Sequence, residues 1–296
     1  MNVQLTHDID DGVSLHCGDI ELFRYTYVSH VPQRESPKPF FHPMRTLQGD
    51  VITGFRPTDH LWHTGLSMTS SHLSGENFWG GPTFLRGQSY QELKNTGTQK
   101  HIAWDTMQRT QRGAELAHRL EWHTYGGEHW LDEQRRHVIT VEPEENYWMI
   151  DTSMQLTNVS GGTLSFGSPT TEGRPNAGYG SLFWRGPRDF TDGSVLDAEG
   201  RTDAEEVRGN PSPWLAYYSR HDGTFHETTL IFIDRPSNPR YPNKWFVRAS
   251  PTPVLSYSFM FDEEYELPAG ETLSLDYRMV IASGTWDQKQ IEPFAK

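Results

Sequence analysis

Three strand-length runs, residues 115–125, 129–141 and 148–157, stand in a row with only Gly126-Gly127 and Pro143-Glu144-Glu145-Asn146 between them. Turn residues of this kind between runs rich in β-branched and aromatic side chains predict a meander of long antiparallel strands. In the first run Leu116, Leu120 and Trp122 share one face while Glu115, Arg119 and Glu121 share the other, the period of two that marks a half-buried strand. Further strands are predicted at 228–234, 255–261 and 272–281. In the last, Leu273, Leu275, Tyr277 and Met279 alternate with Ser274, Asp276, Arg278 and Val280. No run of a dozen residues has both helical periodicity and caps, and 26 Gly with 19 Pro interrupt the chain too often for a helical bundle. The expected class is all-β, a large antiparallel β-sandwich formed by residues 1–296 as one domain. The acidic, apolar-poor stretch 196–213 is expected to be a long surface loop.

Charge narrows the partners. With 39 acidic against 26 basic residues the formal net charge is −13, and no local basic run offsets it, so neither nucleic acid nor an anionic membrane surface is an expected partner. The single cysteine, Cys17, excludes an internal disulfide. The acidic and polar opening residues do not read as an export signal, and no stretch has the roughly 20 apolar residues of a membrane-spanning helix, so a cytoplasmic location is expected. Aromatic residues make up 12% of the chain. Such rings supply core, and, interleaved with polar groups, they also supply surfaces on which sugar rings stack.

Three segments concentrate reactive side chains. The first holds Phe41-His42-Pro43 and Asp59-His60-Leu61-Trp62-His63, followed by Asn77-Phe78-Trp79-Gly80-Gly81, where glycines permit a close backbone approach. His60 and His63 after Pro57 are read on a loop, with three readings open: acid/base or hydrogen-bonding groups for a sugar, metal ligands together with His42, or structural histidines. Asp59 either orients the imidazole of His60 or caps the turn. The second segment, 166–190, mixes Glu172, Arg174, Asn176, Tyr179 and Arg185 with glycines, and Glu172 is the best carboxylate for a general base unless it pairs with a neighbouring arginine. The third, 240–248, contains Trp245 and either closes over a ligand or packs an edge. Nucleophile-elbow, phosphate-loop, dinucleotide and His-Glu-x-x-His motifs are all absent from the sequence.

Lys38-Pro39-Phe40-Phe41-His42-Pro43, Asp59-His60-Leu61-Trp62-His63-Thr64-Gly65-Leu66, Asn77-Phe78-Trp79-Gly80 and Gly178-Tyr179-Gly180-Ser181-Leu182-Phe183-Trp184-Arg185-Gly186-Pro187 resemble, in order and spacing, the bacterial family named PmoA-like or methane oxygenase PmoA. That name implies methane oxidation, which a chain without a membrane span argues against. The resemblance implies a companion of sugar-processing oxidoreductases in bacterial catabolism. More distantly, the chain looks like the galactose-mutarotase-like supersandwich, in which a histidine acid and a glutamate base act at an anomeric carbon. Carried over, His60 and His63 take the histidine roles and Glu172 the base role. Thr64 stands where a basic residue is common in the PmoA-like family, which speaks against an anionic substrate.

The expected function is therefore acid/base chemistry on a carbohydrate at or next to the anomeric carbon, as an epimerase, a keto-sugar eliminase or a hydrolase. His60, His63 and Glu172 are the catalytic candidates; His42, Asp59, Asn77, Trp79, Tyr179, Arg185 and Trp245 are the substrate-binding ones. No cofactor is expected, the alternative being a divalent metal on His42, His60 and His63. A carbohydrate-binding or sensing module without catalysis is the competing function, with Trp79, Tyr179, Trp184 and Trp245 stacking on the ligand. The acid/base reading requires His60, His63 and Glu172 to line one pocket.

Overall fold

The computed structural model of the protein describes residues 2–295, and antiparallel strand ladders dominate it. The chain begins with β1 (Val3–Asp8), β2 (Gly12–Cys17), β3 (Ile20–Thr26), β4 (Phe40–Met44) and β5 (Leu66–Thr69), which pair in sequence order. Three short strands follow: β6 (His72–Leu73), β7 (Thr83–Leu85) and β8 (Ser89–Gln91). The long meander is β9 (Thr98–Thr110), β10 (Gly113–His123), β11 (His129–Glu142) and β12 (Tyr147–Asn158). Then come β13 (Leu164–Gly167), β14 (Ser181–Arg185), β15 (Ser194–Asp197), β16 (Trp214–Arg220), β17 (Glu227–Asp234), β18 (Lys244–Arg248), β19 (Val254–Ser258), β20 (Tyr265–Leu267) and β21 (Thr272–Ser283). One eight-stranded sheet has the order β1-β2-β3-β4-β5-β14-β19-β18, and the other β15-β16-β17-β21-β12-β11-β10-β9. The two enclose a shared core between their inner faces, so the fold is a large antiparallel β-sandwich.

The meander appears where the sequence puts it. Leu116, Leu120 and Trp122 are buried, and Trp122 pairs across the ladder with Leu131. Leu273, Leu275, Tyr277 and Met279 likewise face the core. Val280, assigned by alternation to the polar face of β21, is also buried. The reason is a second apolar layer: Tyr147, Trp214, Ile231, Ile233, Val280 and Ala282 form a cluster on the outer face, covered by Trp286, Ile291 and Phe294 of the C-terminal segment. A helical turn with a capping box on Asp287 fixes that cover.

Two other segments depart from the reading. The run 255–261 is strand only as far as Ser258, after which Phe259, Met260 and Phe261 turn into the interior. Stretch 196–213 is not loop throughout. It starts as the end of β15 and contains a one-turn helix (Ala204–Val207) capped by Asp203, and it buries Asp197, Val207 and Ser212. Asp197 accepts hydrogen bonds from Arg201 Nε (2.6 Å) and from the backbone N–H groups of Glu199 and Arg201, which folds the acidic stretch back on itself. The core also holds an ion pair: Arg135 Nε donates to Glu133 Oε1 (2.6 Å), with both side chains buried, while Trp122 Nε1 donates to Glu133 Oε2 (2.7 Å) and Arg135 Nη2 to Gln99 Oε1 (3.0 Å). Among the described residues no helix is long and apolar enough to cross a membrane.

Candidate functional site

Strands β14, β19 and β18 adjoin at one end of the first sheet, and the period of two sorts their side chains between its faces. Trp184, Leu255, Trp245 and Val247 point into the shared core. Phe183, Val254 and Phe246 point outward and, with Trp79, Ala177, Tyr179 and Phe261, form a separate aromatic cluster. Loops bring His60, Trp62 and His63 from one side, Trp79 and Pro82 from another, and Arg174 and Tyr179 from a third, enclosing a cavity of about 330 Å3. That volume lies at the lower end of the roughly 300–1,000 Å3 typical of small-molecule sites.

The loops are held by buried polar groups. The Lys38 ammonium, 1% exposed, donates to the carbonyls of Glu35 (3.1 Å), Ser36 (2.7 Å) and Trp79 (3.0 Å). Burial pushes its pKa down to about 7. Asn77 Oδ1 accepts from the N–H groups of Trp79 (2.9 Å) and Gly80 (2.8 Å), while its Nδ2 donates to Gly81 O (3.1 Å) and Thr83 Oγ1 (3.0 Å). Glu35 accepts two bonds from Arg56, at 2.7 and 2.8 Å. Gly80 and Gly81 both have positive φ; Gly80 lies against the Trp62 Cβ and the Glu35 backbone and Gly81 against the Trp62 indole, so these glycines admit neighbouring protein groups and not a ligand.

At the mouth, the rings of His60 and His63 stack with centroids 4.7 Å apart and planes 19° from parallel. His60 Nδ1 is 2.8 Å from Asp59 Oδ2, which fixes Nδ1 as the donor and leaves Nε2 free of protein partners among the described residues. Partial burial works to raise the Asp59 carboxyl. The His60 hydrogen bond, a backbone hydrogen bond and the charge of Arg185, 3.6 Å away, outweigh it and hold Asp59 below its ordinary value. His63 is 5% exposed; burial first, then the charges of His60, Arg185 and Lys38, keep its pKa well below the usual imidazole value, and its Nδ1 has no hydrogen-bond partner. From His63 a chain of ring contacts runs to Trp79 (5.4 Å), from Trp79 to Tyr179 (4.4 Å) and from Tyr179 to Phe246 (5.2 Å). Tyr179 and Tyr90 share a hydroxyl hydrogen bond of 2.9 Å. The site thus combines an aromatic wall of mutually tilted rings with a carboxylate-oriented imidazole, an arrangement that can pack against a ring and exchange a proton with it.

Of the candidates read from sequence, His60, His63, Trp79 and Tyr179 line this cavity. Asp59, Arg185 and Asn77 stand behind it as supports. Glu172 is elsewhere: it lines a separate cavity of about 140 Å3 with His72 and Glu264, so the three catalytic candidates do not share a pocket. His42 is also elsewhere, stacked on Phe55 (5.0 Å, 13°) with Nδ1 3.0 Å from Thr53 Oγ1; burial, then the Arg45 charge, brings its pKa down to about 4. It does not join His60 and His63 in a ligand set. Trp245 and Trp184 are core residues whose Nε1 groups donate to Ser212 O and Ile52 O at 2.8 Å. Thr64 is buried and its hydroxyl has no partner. Sequence reasoning missed Phe183 and Phe246. Alternation alone points the wrong way: with Trp184 and Trp245 read as ligand-facing, their neighbours Phe183 and Phe246 fall on the core face, and only the burial of the two tryptophans reverses the assignment.

The group of His and acidic side chains close enough to share an ion among the described residues is Glu121, His129 and Asp132, on the β10–β11 hairpin, with donor atoms within 4.8 Å of one another. A wider depression of about 670 Å3 over β15 and β16 contains neither His60 nor His63.

The molecule is therefore a two-sheet β-sandwich with an aromatic, histidine-edged cavity on the outer face of one sheet. Over residues 12–296 the chain matches the model of a family of unknown function, DUF6807, and it belongs to that family. None of the matches described here carries the PmoA name. No curated protein matches the chain. Among solved structures it is similar to the heparan sulfate lyase HepC from Pedobacter heparinus (8% identity, TM-score 0.41, covering 93% of this chain and 34% of that one). It is similar also to the GH36 α-galactosidase AgaA from Geobacillus stearothermophilus (10%, 0.41, 98% and 42%). A third match is a galactose mutarotase related enzyme from Lactobacillus acidophilus (7%, 0.36, 97% and 99%). The chain spans well under half the length of the first two, and likeness at these scores transfers neither a site nor a reaction.

Proposed function

We propose that the cavity binds a small carbohydrate and that His60, oriented by Asp59, is the group that exchanges a proton with it. The observation that carries this reading is the aromatic wall of Trp79, Tyr179 and Phe183 meeting His60, held from behind by Asp59, in one cavity. Ring faces stack on the C–H faces of a sugar, the volume suits a monosaccharide, and Nε2 of His60 is left free for substrate. Because Glu172 lines a different cavity, the partner for His60 in any anomeric proton exchange would be a tyrosine hydroxyl or water, not that carboxylate.

The test is a titration of intrinsic tryptophan fluorescence with a panel of monosaccharides, since Trp62 and Trp79 both line the cavity. Sugar binding should quench emission, and Trp79→Ala should weaken it about tenfold or more. Proton exchange at the anomeric carbon is read by the rate of anomer interconversion in NMR, and His60→Ala should abolish the catalysed part while the protein stays folded. Binding without catalysed exchange would establish the second reading, a carbohydrate-binding module, which the absence of a carboxylate from the cavity wall favours. No binding by any sugar refutes both.

A further inference from the structure

Arginines in this protein are mostly neutralised. Arg24, Arg34, Arg45, Arg56, Arg135 and Arg278 each pair with a carboxylate, as expected in a chain with 39 acidic and 26 basic residues. The aromatic cavity breaks that pattern. Two arginines line it, Arg174 and Arg248, and no acidic residue does. Arg248, half-buried, makes no hydrogen bond or ion pair with its side chain among the described residues; its guanidinium rests 5.4 Å from the Phe246 ring centroid. Arg174 lies 5.0 Å over the ring of Tyr90 and donates to the Tyr90 hydroxyl, again without a carboxylate. Burial first, then the charges of Arg208 and Arg174, depress the pKa of Arg248 against the opposing charges of Tyr90 and Glu205. Holding two half-buried guanidinium groups without a carboxylate partner is unfavourable unless an anion completes them.

We propose that the sugar this cavity takes is anionic, with its oxyanion, a carboxylate or a phosphate, seated on Arg174 and Arg248 while its ring stacks on the Trp79 wall. The inference rests on the carbohydrate reading above and adds the charge of the ligand. Guanidinium groups hold carboxylate and phosphate through paired, charge-assisted hydrogen bonds, and both arginines are already stacked on aromatic rings, so little side-chain freedom remains to be lost on binding.

The experiment is calorimetric titration of the full chain, at low salt, with glucuronate and galacturonate, with glucose 6-phosphate, and with neutral glucose and galactose. At least one acidic sugar should bind roughly tenfold or more tightly than its neutral counterpart, with the preference shrinking as salt is added. The two acidic arms distinguish carboxylate from phosphate. Arg248→Met, which matches only the apolar stem and breaks no hydrogen bond, should erase the preference, read as the ratio of acidic-sugar to neutral-sugar affinity in the same folded variant; Arg248→Lys should retain part of it. Neutral sugars binding as tightly as acidic ones, with Arg248→Met unaltered, would overturn the anionic inference and leave the carbohydrate reading standing. Failure of every sugar, neutral and acidic, would overturn both.

Discussion

Replacing Gly81 by Ala directs a methyl group into the indole of Trp62. A Cβ built there lies 2.6 Å from Trp62 Cδ2 and Cε2 and 2.7 Å from Cε3, on a residue whose φ is +66°. The left-handed backbone costs an alanine about 1–2 kcal/mol. Displacing a packed ring costs about 1–3 kcal/mol more. Together these give about 2–5 kcal/mol. An unfolding entropy of about 2.1 cal/mol/K per residue over 296 residues is about 0.6 kcal/mol/K, so Tm should fall by roughly 3–8 °C. Gly87→Ala is the matched control: its φ is +75° and nothing lies within 4 Å of the added carbon, so only the backbone cost applies, roughly 2–3 °C. Calorimetric melts of both variants measure the difference. Because Trp62 also lines the cavity, Gly81→Ala should shift tryptophan emission and weaken ligand binding, whereas Gly87→Ala should do neither. Equal Tm losses for the two variants would refute the claim that the glycine is there to admit the Trp62 ring.

Glu133→Gln strands the buried Arg135 cation, and denaturant unfolding should register a loss of about 3–5 kcal/mol; a loss under 1 kcal/mol would show that the pair is not desolvated. Stability should also fall on acidification: between pH 6.5 and the folded value of about 4, the unfolded chain takes up a proton at His42 that the folded chain refuses. That contribution is about 3 kcal/mol at most, present above pH 6.5 and lost as pH falls towards 4, with His63, His118 and His137 adding in the same direction. Urea midpoints at about pH 7 and pH 5 measure it, and His42→Leu should reduce the dependence while the part due to His63, His118 and His137 remains. Asp59→Asn removes the charge that fixes the His60 tautomer, and any catalysed anomer exchange should drop by roughly 10²–10⁴-fold with little change in sugar affinity.

Alternation along 115–125, 129–141, 148–157 and 272–281 was enough to determine the class of fold and most of the second sheet, because a strand with one face in the core must repeat every two residues whatever lies opposite. The same rule misplaced Val280, since alternation records which residues are apolar and cannot say that a C-terminal turn covers the second face. His60, His63, Trp79 and Tyr179 stood out in the sequence as chemistry-bearing residues near glycines and prolines. Their gathering round one cavity depended on β14, β19 and β18 lying together beside β5, an order of strands far apart in the chain. Local periodicity carries no record of such neighbours. Hence Glu172, two residues from Arg174, turns to another cavity, Trp245 turns inward while Phe246 and Arg248 face the aromatic cavity, and only the tertiary structure decides which charges that cavity presents.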